Sequence, residues 1–257
     1  PNPPELPSCS GPDGILYDFN YGARVLLPEG KWHVILMDDD SGNILFSCDS
    51  EGGWVTSNKK YYVRFRIQVF HQGSASPVLD ETLDMKDKPV VIFFPTGTLG
   101  DMLGWFHYAE RFRQLHRCQL ECVMGQEIIE LLSAQYPEIT FSTKDNLQTV
   151  NPYASWYVGL FFKGDTTHQP IDFRKVGFHR NAGYILGVDP RECPPRLKLD
   201  AERKIAEPYV CITAQSTNQA KYWNNGHGWA EVVAHLKSLG YRVLCIDRHA
   251  HYGQGFV

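Results

Sequence analysis

The stretch Phe93-Phe94-Pro95-Thr96-Gly97-Thr98-Leu99-Gly100-Asp101 follows an apolar run, Pro89 to Phe94, and precedes an amphipathic one. A Gly-rich turn between a strand and a helix lets backbone N–H groups approach an anion or a sugar, and a helix N-terminus favours negative charge. Asp101 sits where that helix begins. A carboxylate there can reach a ligand's hydroxyl and take its proton, which is the task of a general base. Asp is also a common helix N-cap. A plain cap, however, does not call for the two threonines and two glycines of Thr96-Gly97-Thr98-Leu99-Gly100. Thr98, Leu99 and Gly100 are therefore read with Asp101 as ligand-facing.

A second constellation, Thr213-Ala214-Gln215-Ser216-Thr217-Asn218-Gln219-Ala220-Lys221-Tyr222-Trp223, follows another apolar run and precedes a second helix. Hydroxyls and amides at Gln215, Ser216 and Thr217 suit phosphate oxygens. Lys221 suits a diphosphate leaving group whose charge grows as a glycosidic bond breaks. The alternative for Lys221 is a solvated loop lysine. Asp247 ends the run Tyr241–Ile246, where an acidic residue either bonds a ribose or caps a strand end; the sequence leaves both open. Two such strand–turn–helix units suggest an enzyme that grips a nucleotide-sugar between two α/β domains. Asp38-Asp39-Asp40 resembles an Asp-x-Asp metal motif, but followed by Ser41-Gly42 it reads as a hairpin turn. It also lacks the late Glu of a calcium loop. Trp223, Asn225 and His227 are ligand-contact candidates, while Trp229 reads as core. His227, His249 and His251 show no zinc spacing and read as surface residues.

The elements that must position these groups fall into three segments. Residues 1–86 read as a small antiparallel β domain, a barrel or sandwich. Val63, Phe65, Ile67 and Val69 alternate onto one face, and Lys31–Met37 and Asn43–Cys48 flank the Asp38–Gly42 turn. Residues 87–200 read as a first Rossmann-like domain. Its strands are Pro89–Phe94, Gln119–Met124, Glu138–Ser142 and Trp156–Phe162, and its helices Asp101–Arg117, Gln126–Gln135 and Phe173–Leu186. Strand–helix alternation implies a parallel sheet wrapped by helices. Arg191–Lys204, rich in proline and charge, reads as a linker. Residues 201–257 begin a second Rossmann-like domain with strands Tyr209–Ala214 and Tyr241–Asp247 around a helix Gly228–Leu239. One helix and two strands cannot cover a sheet on both faces, so a continuation past Val257 is expected.

The 257 residues suffice for sizeable cores, and a net charge of −4 argues against nucleic acid. No apolar run is long enough to span a bilayer, and the opening Pro1-Asn2-Pro3-Pro4-Glu5, which does not read as a signal peptide, leads to the expectation that none is present. The seven cysteines, Cys9, Cys48, Cys118, Cys122, Cys193, Cys211 and Cys245, are scattered and form no Cys-x-x-Cys. That pattern predicts a reduced, cytoplasmic protein. Cys211 and Cys245 read as small core residues, and Cys118 and Cys122 carry no metal assignment.

Gly97-Thr98-Leu99-Gly100-Asp101-Met102-Leu103 resembles the Gly-Asp motif of ADP-heptose glycosyltransferases. Gln215-Ser216-Thr217, Lys221, Trp223 and then Trp229-Ala230-Glu231-Val232-Val233, Leu236 and Gly240-Tyr241 resemble their second-domain signature. With a β segment before residue 87, the chain resembles the bacterial autotransporter heptosyltransferases over nearly its whole length. The resemblance implies an α/β fold of the GT-B type, its second Rossmann-like domain incomplete here, preceded by the small β domain. It implies transfer of heptose from ADP-heptose to serine hydroxyls of an autotransporter adhesin, with inversion. Asp101 would be the base, and Lys221 would hold the donor phosphates. It further implies a homo-oligomer, a dodecamer, and a structural iron on C-terminal cysteines that this chain does not contain; none of its own seven is assigned to it. No catalytic metal is expected. Transfer to lipopolysaccharide is the competing enzymatic reading, and the β segment, suited to docking a protein, argues against it. A non-catalytic sugar- or adhesin-binding module is the third, opposed by the intact Asp101 and Lys221.

Overall fold

The computed structural model describes residues 3–94, 99–197, 202–216 and 218–247, and divides into two units, Pro1–Lys198 and Leu199–Val257. The first unit opens with strands β1 (Cys9–Ser10), β2 (Leu16–Asn20), β3 (Arg24–Leu27), β4 (Trp32–Asp38), β5 (Ile44–Ser50), β6 (Gly53–Thr56), β7 (Phe65–His71) and β8 (Leu79–Thr82). It continues as β9 (Pro89–Phe93), α1 (Leu99–His116), β10 (Gln119–Val123), α2 (Gln126–Leu132), β11 (Thr140–Ser142), β12 (Ala154–Tyr157), α3 (Phe173–Val176) and α4 (Arg180–Leu186).

Val90, Val91, Ile92 and Phe93 of β9 are all buried, as a strand covered on both faces requires. β9 lies between β10 and β12 with all three parallel, Val123 and Tyr157 both opposite Phe93. Met102, Trp105, Phe106, Ala109 and Phe112 of α1 are buried and belong to the main core. Among the described residues the sheet runs β11-β10-β9-β12-β2-β3-β6, with β1 on β2. β2 pairs parallel with β12, and β3 and β6 extend the sheet antiparallel. A second, antiparallel sheet, β5-β4-β7-β8, turns Val34, Leu36, Phe65, Ile67 and Val69 inward, as the alternation predicts. Its β4–β5 hairpin closes through Gly42 N–H to the Asp38 carbonyl at 2.8 Å, so the Asp38–Asp40 run is a turn.

Three expectations change in detail. The segment read as a separate domain of residues 1–86 is shared between two sheets, and its buried residues join one core with those of β9, α1 and β12. The expected strand Trp156–Phe162 stops at Tyr157, because its partner β9 ends at Phe93; Val158 N–H to the Phe93 carbonyl, 2.9 Å, is the last bond of that ladder. The expected helix Phe173–Leu186 is two short helices, broken at Gly177 with φ 101°.

A buried ion pair fastens β2 and β3 to the start of β12. Arg24 donates to both oxygens of Asp18 at 2.7 and 2.6 Å. Asn20 Nδ2 bridges Asp18 and the Pro152 carbonyl, both at 2.7 Å.

The second unit contains β13 (Tyr209–Ile212), α5 (Gly228–Ser238) and β14 (Arg242–Cys245). The two strands pair in parallel, and Ile212, Val233 and Val243 form its core with Trp229 and Leu236 packed against them. Cys211 is exposed and Cys245 only partly buried, not the core residues the sequence suggested. Among the described residues α5 is the helix that shares this core with the strand pair.

Candidate functional site

In the first unit, Asp101 lies in the first turn of α1, half-buried, directly beyond the central strand β9. Leu99 and Gly100 precede it on the same turn, both exposed. Thr98 falls outside the described residues. The carboxyl end of a parallel strand is where open α/β sheets bind ligands, and β9, β10, β12 and β2 all end on this side. Leu103, Gly104 and His107, on a face of α1 away from the sheet, line a cavity of about 320 Å³ with His179, Glu192, Cys193 and Pro194. The His179 ring packs directly on Gly104: a Cβ there would stand 2.3 Å from its Cδ2. His107 is 5 % exposed, and neither ring nitrogen makes a well-aligned hydrogen bond. Burial holds its pKa below the usual imidazole range, which the nearby Arg191 carbonyl only partly offsets. Nothing in the spacing of His107 and His179 announces that residues so distant in the chain meet.

The segment predicted as linker is partly anchored. Arg111 donates to the carbonyls of Asp189 and Arg191, Tyr108 Oη to that of Pro190 at 2.9 Å, and Arg196 pairs with Glu110 at 2.7 Å. Its first half is strapped along α1, and the division between units falls at Lys198.

In the second unit, the loop after β13 carries Gln215 and Ser216, both partly buried. Thr217 falls outside the described residues, as do His249 and His251. Lys221 ends a 3-10 turn, Gln219–Lys221, and is exposed; Asn218 Oδ1 accepts from Ala220 N–H at 2.9 Å and fixes the turn. Asp247, just past β14, accepts from the Thr213 hydroxyl, from Ala214 N–H at 2.8 Å and from Gln215 N–H at 3.3 Å. Its partial burial raises the carboxyl pKa, but these donors outweigh that and hold it below the usual range. Asp247 thus braces the loop that carries Gln215 and Ser216. Asn225 Oδ1 accepts from His227 and Gly228 N–H, both at 3.1 Å, and starts α5. Trp223 stacks over Gly228 and meets Trp229 edge-on at 5.4 Å. These two ligand candidates have structural work within the loop.

Among the described residues, no group of three or more His, Cys, Asp or Glu side chains is arranged to hold a metal ion. The donor sets of the described residues do not fit an iron site. Among the described residues, no helix is long and apolar enough to cross a membrane.

Residues 11–73 match the family described as glycosyltransferase TibC, N-terminal domain. The chain is 72 % identical over 255 residues to the autotransporter heptosyltransferase TibC of Escherichia coli O78:H11, covering 99 % of this chain and 63 % of that protein. It is 72 % identical over 256 residues to the autotransporter heptosyltransferase BAHTCr of Citrobacter rodentium, covering all of this chain and again 63 % of the relative. The chain thus spans about three-fifths of the length of these relatives. A relative from Burkholderia thailandensis, 43 % identical over 95 % of this chain and 58 % of its own, is named an inactive autotransporter heptosyltransferase, BimC. Crystal structures of TibC match with a TM-score of 0.95 at 71 % identity, covering all of this chain and 67 % of theirs. One is described as an iron-containing dodecameric glycosyltransferase, the other as the heptosyltransferase in complex with ADP-D-beta-D-heptose.

Proposed function

The chain belongs to the autotransporter heptosyltransferase family, and on that premise we propose that the protein it spans transfers heptose from an ADP-heptose donor to serine hydroxyls of an autotransporter adhesin. The fold is read as GT-B: the first unit supplies the acceptor side and the base, the second the donor side. Asp101 takes the serine proton as the oxygen attacks the anomeric carbon, the bond from that carbon to the diphosphate breaks, and the configuration inverts. Lys221, with the hydroxyls and amides of Gln215, Ser216 and Thr217, neutralises the departing ADP. TibC supplies the analogy for a dodecameric assembly and for iron, and a cytoplasmic location follows from the same reading.

The observation that carries this proposal is the position of Asp101, in the first turn of α1 beyond the buried central strand of a parallel sheet. One observation favours a second, non-catalytic reading: BimC shares this architecture's sequence and is named inactive. Mass measurement of an adhesin fragment after incubation with ADP-heptose and the full-length protein decides between them. Transfer is expected with the wild type, and Asp101→Asn should slow it by ~10²–10⁴-fold, the usual worth of a general base, with ADP affinity kept. An unmodified adhesin would favour the non-catalytic reading. Wild-type rates in Asp101→Asn would remove Asp101 from its role.

A further inference from the structure

Two residues one turn along α1 from Asp101 are gripped by a segment distant in the chain. Gly104 and Trp105 follow Asp101 by three and four positions, the spacing of neighbours on a helix surface. Trp105 is buried, and its indole N–H donates to the Phe178 carbonyl at 3.1 Å. Its ring also stacks on that of Phe178, centroids 5.4 Å apart at 14°. The ring of His179, the next residue, fills the notch that Gly104 leaves, where a Cβ would overlap Cδ2 and Nε2. The hydrogen bond resists sliding of this turn along the helix axis, and a ring seated in a notch resists its rotation.

The gripping segment is itself fixed. Gly177, at φ 101°, ends α3 and frees Phe178 and His179 from helical geometry where they meet α1. Asn181, fully buried in α4, donates to the Gly159 carbonyl at 3.1 Å. Gly159 adjoins Val158, whose N–H donates to the Phe93 carbonyl at 2.9 Å. Phe93 is the last residue of β9, the strand that leads to α1. The turn below Asp101 is therefore tied to the end of β9 by a second route, through Val158, Gly159, Asn181 and the Phe178–His179 pair. The first turn of a helix has backbone groups without intrahelical partners, so support on the next turn limits how far a carboxylate there can move.

We propose that His179, mounted beside Phe178, is a positioning residue for the base: its ring in the Gly104 notch holds the first turns of α1, and with them the Asp101 carboxylate, where the acceptor hydroxyl is met. His179 acts through Gly104 and is assigned no contact with the reacting atoms. The inference rests on the proposed role of Asp101 as base. Rate is sensitive to such placement, and a displacement of about 1 Å can cost ~100-fold. Gly104 makes the inference testable, because alanine is otherwise the better residue in a helix interior. On helix propensity alone Gly104→Ala would be stabilising; against the His179 ring, its methyl must push the turn or the ring aside.

The test uses the full-length protein, an adhesin fragment and ADP-heptose, with Gly104→Ala, His179→Ala and the double variant. Gly104→Ala should lower kcat by ~10–100-fold, the scale of a misplaced catalytic group. His179→Ala, which only loosens the turn, should lower it by ~3–10-fold. KM for ADP-heptose and the calorimetric affinity for ADP should stay at the wild-type values in both. In the double variant the methyl enters the space the ring has left, so kcat should rise from the Gly104→Ala value to that of His179→Ala. A merely structural glycine would alter the unfolding midpoint without this reversal in kcat. Wild-type kcat in either single variant overturns the inference, as does a double variant no faster than Gly104→Ala. A loss of ADP affinity that matches the loss in kcat also overturns it. Should Gly104→Ala not fold, His179→Ala still decides, because it only removes atoms. Failure of the base reading shows separately, as wild-type transfer by Asp101→Asn.

Discussion

Replacing Asp247 separates two jobs that an acidic residue at this strand end can do. Its carboxylate takes the Thr213 hydroxyl and the N–H groups of Ala214 and Gln215, and so sets the path of the loop that leads to Ser216. Asp247→Ala releases all three donors. Buried, three charge-assisted bonds would be worth several kcal/mol, but this site is near the surface and water takes over part of each. A net loss of ~1–2 kcal/mol in loop order is reasonable, and it should reach the nucleotide as a ~5–30-fold weaker ADP affinity. The assay is calorimetry on the full-length protein with ADP, 2′-deoxy-ADP and 3′-deoxy-ADP. If Asp247 acts by holding the loop, Asp247→Ala weakens all three by the same factor, and Thr213→Val, which removes one strut, weakens ADP by ~2–10-fold. If instead Asp247→Ala weakens ADP but not one of the deoxy nucleotides, the carboxylate bonds that ribose hydroxyl and the brace argument fails.

Lys221→Ala should weaken ADP binding by ~10–150-fold, the equivalent of ~1.5–3 kcal/mol for one charge-assisted contact; unchanged calorimetry would remove Lys221 from the donor site. Arg24→Ala leaves Asp18 charged and buried without its bidentate partner, so urea unfolding of the first unit should show a loss of ~3–5 kcal/mol. A loss below ~1 kcal/mol would contradict the role of this pair. Glu121, buried in β10, has its pKa raised by burial but held below its ordinary 4.5 overall by the Ser142 hydroxyl and the N–H groups of Thr149 and Gln148. Its contribution to stability is therefore complete above that value and lost as pH falls through the lower folded-state pKa. Glu121→Gln should flatten that acid-side loss, and an unaltered pH–stability profile would refute the assignment.

Legibility in the sequence followed the range of the interactions. The strand and helix around Asp101 and the unit around Lys221 were readable because periodicity and turn chemistry are local. The hairpin at Asp38–Gly42 was readable for the same reason. The linker at Arg191–Lys204 was readable by composition, but its anchoring by Tyr108, Arg111 and Arg196 was not, since each bond joins residues far apart in the chain. β2 shows the same limit: nothing in Leu16–Asn20 tells that it will pair with β12 rather than close a small barrel. The bend at Tyr21-Gly22 that ends β2 was missed with it, although an aromatic beside the residue that most readily takes positive φ was an available signal.

That pairing changes what the N-terminal segment is for. Read as a detachable module, it would act on the acceptor from outside the α/β layer. The structure makes it part of that layer. β2 supplies the neighbour that β12 needs on the side away from β9, and Phe19, Val34, Leu36 and Phe65 share one core with Ile92, Phe106 and Trp156. The Asp18–Arg24–Asn20 network then ties β2 and β3 to Pro152, just ahead of β12. The strand end that launches α1 and Asp101 is therefore held on one side by residues from the first quarter of the chain.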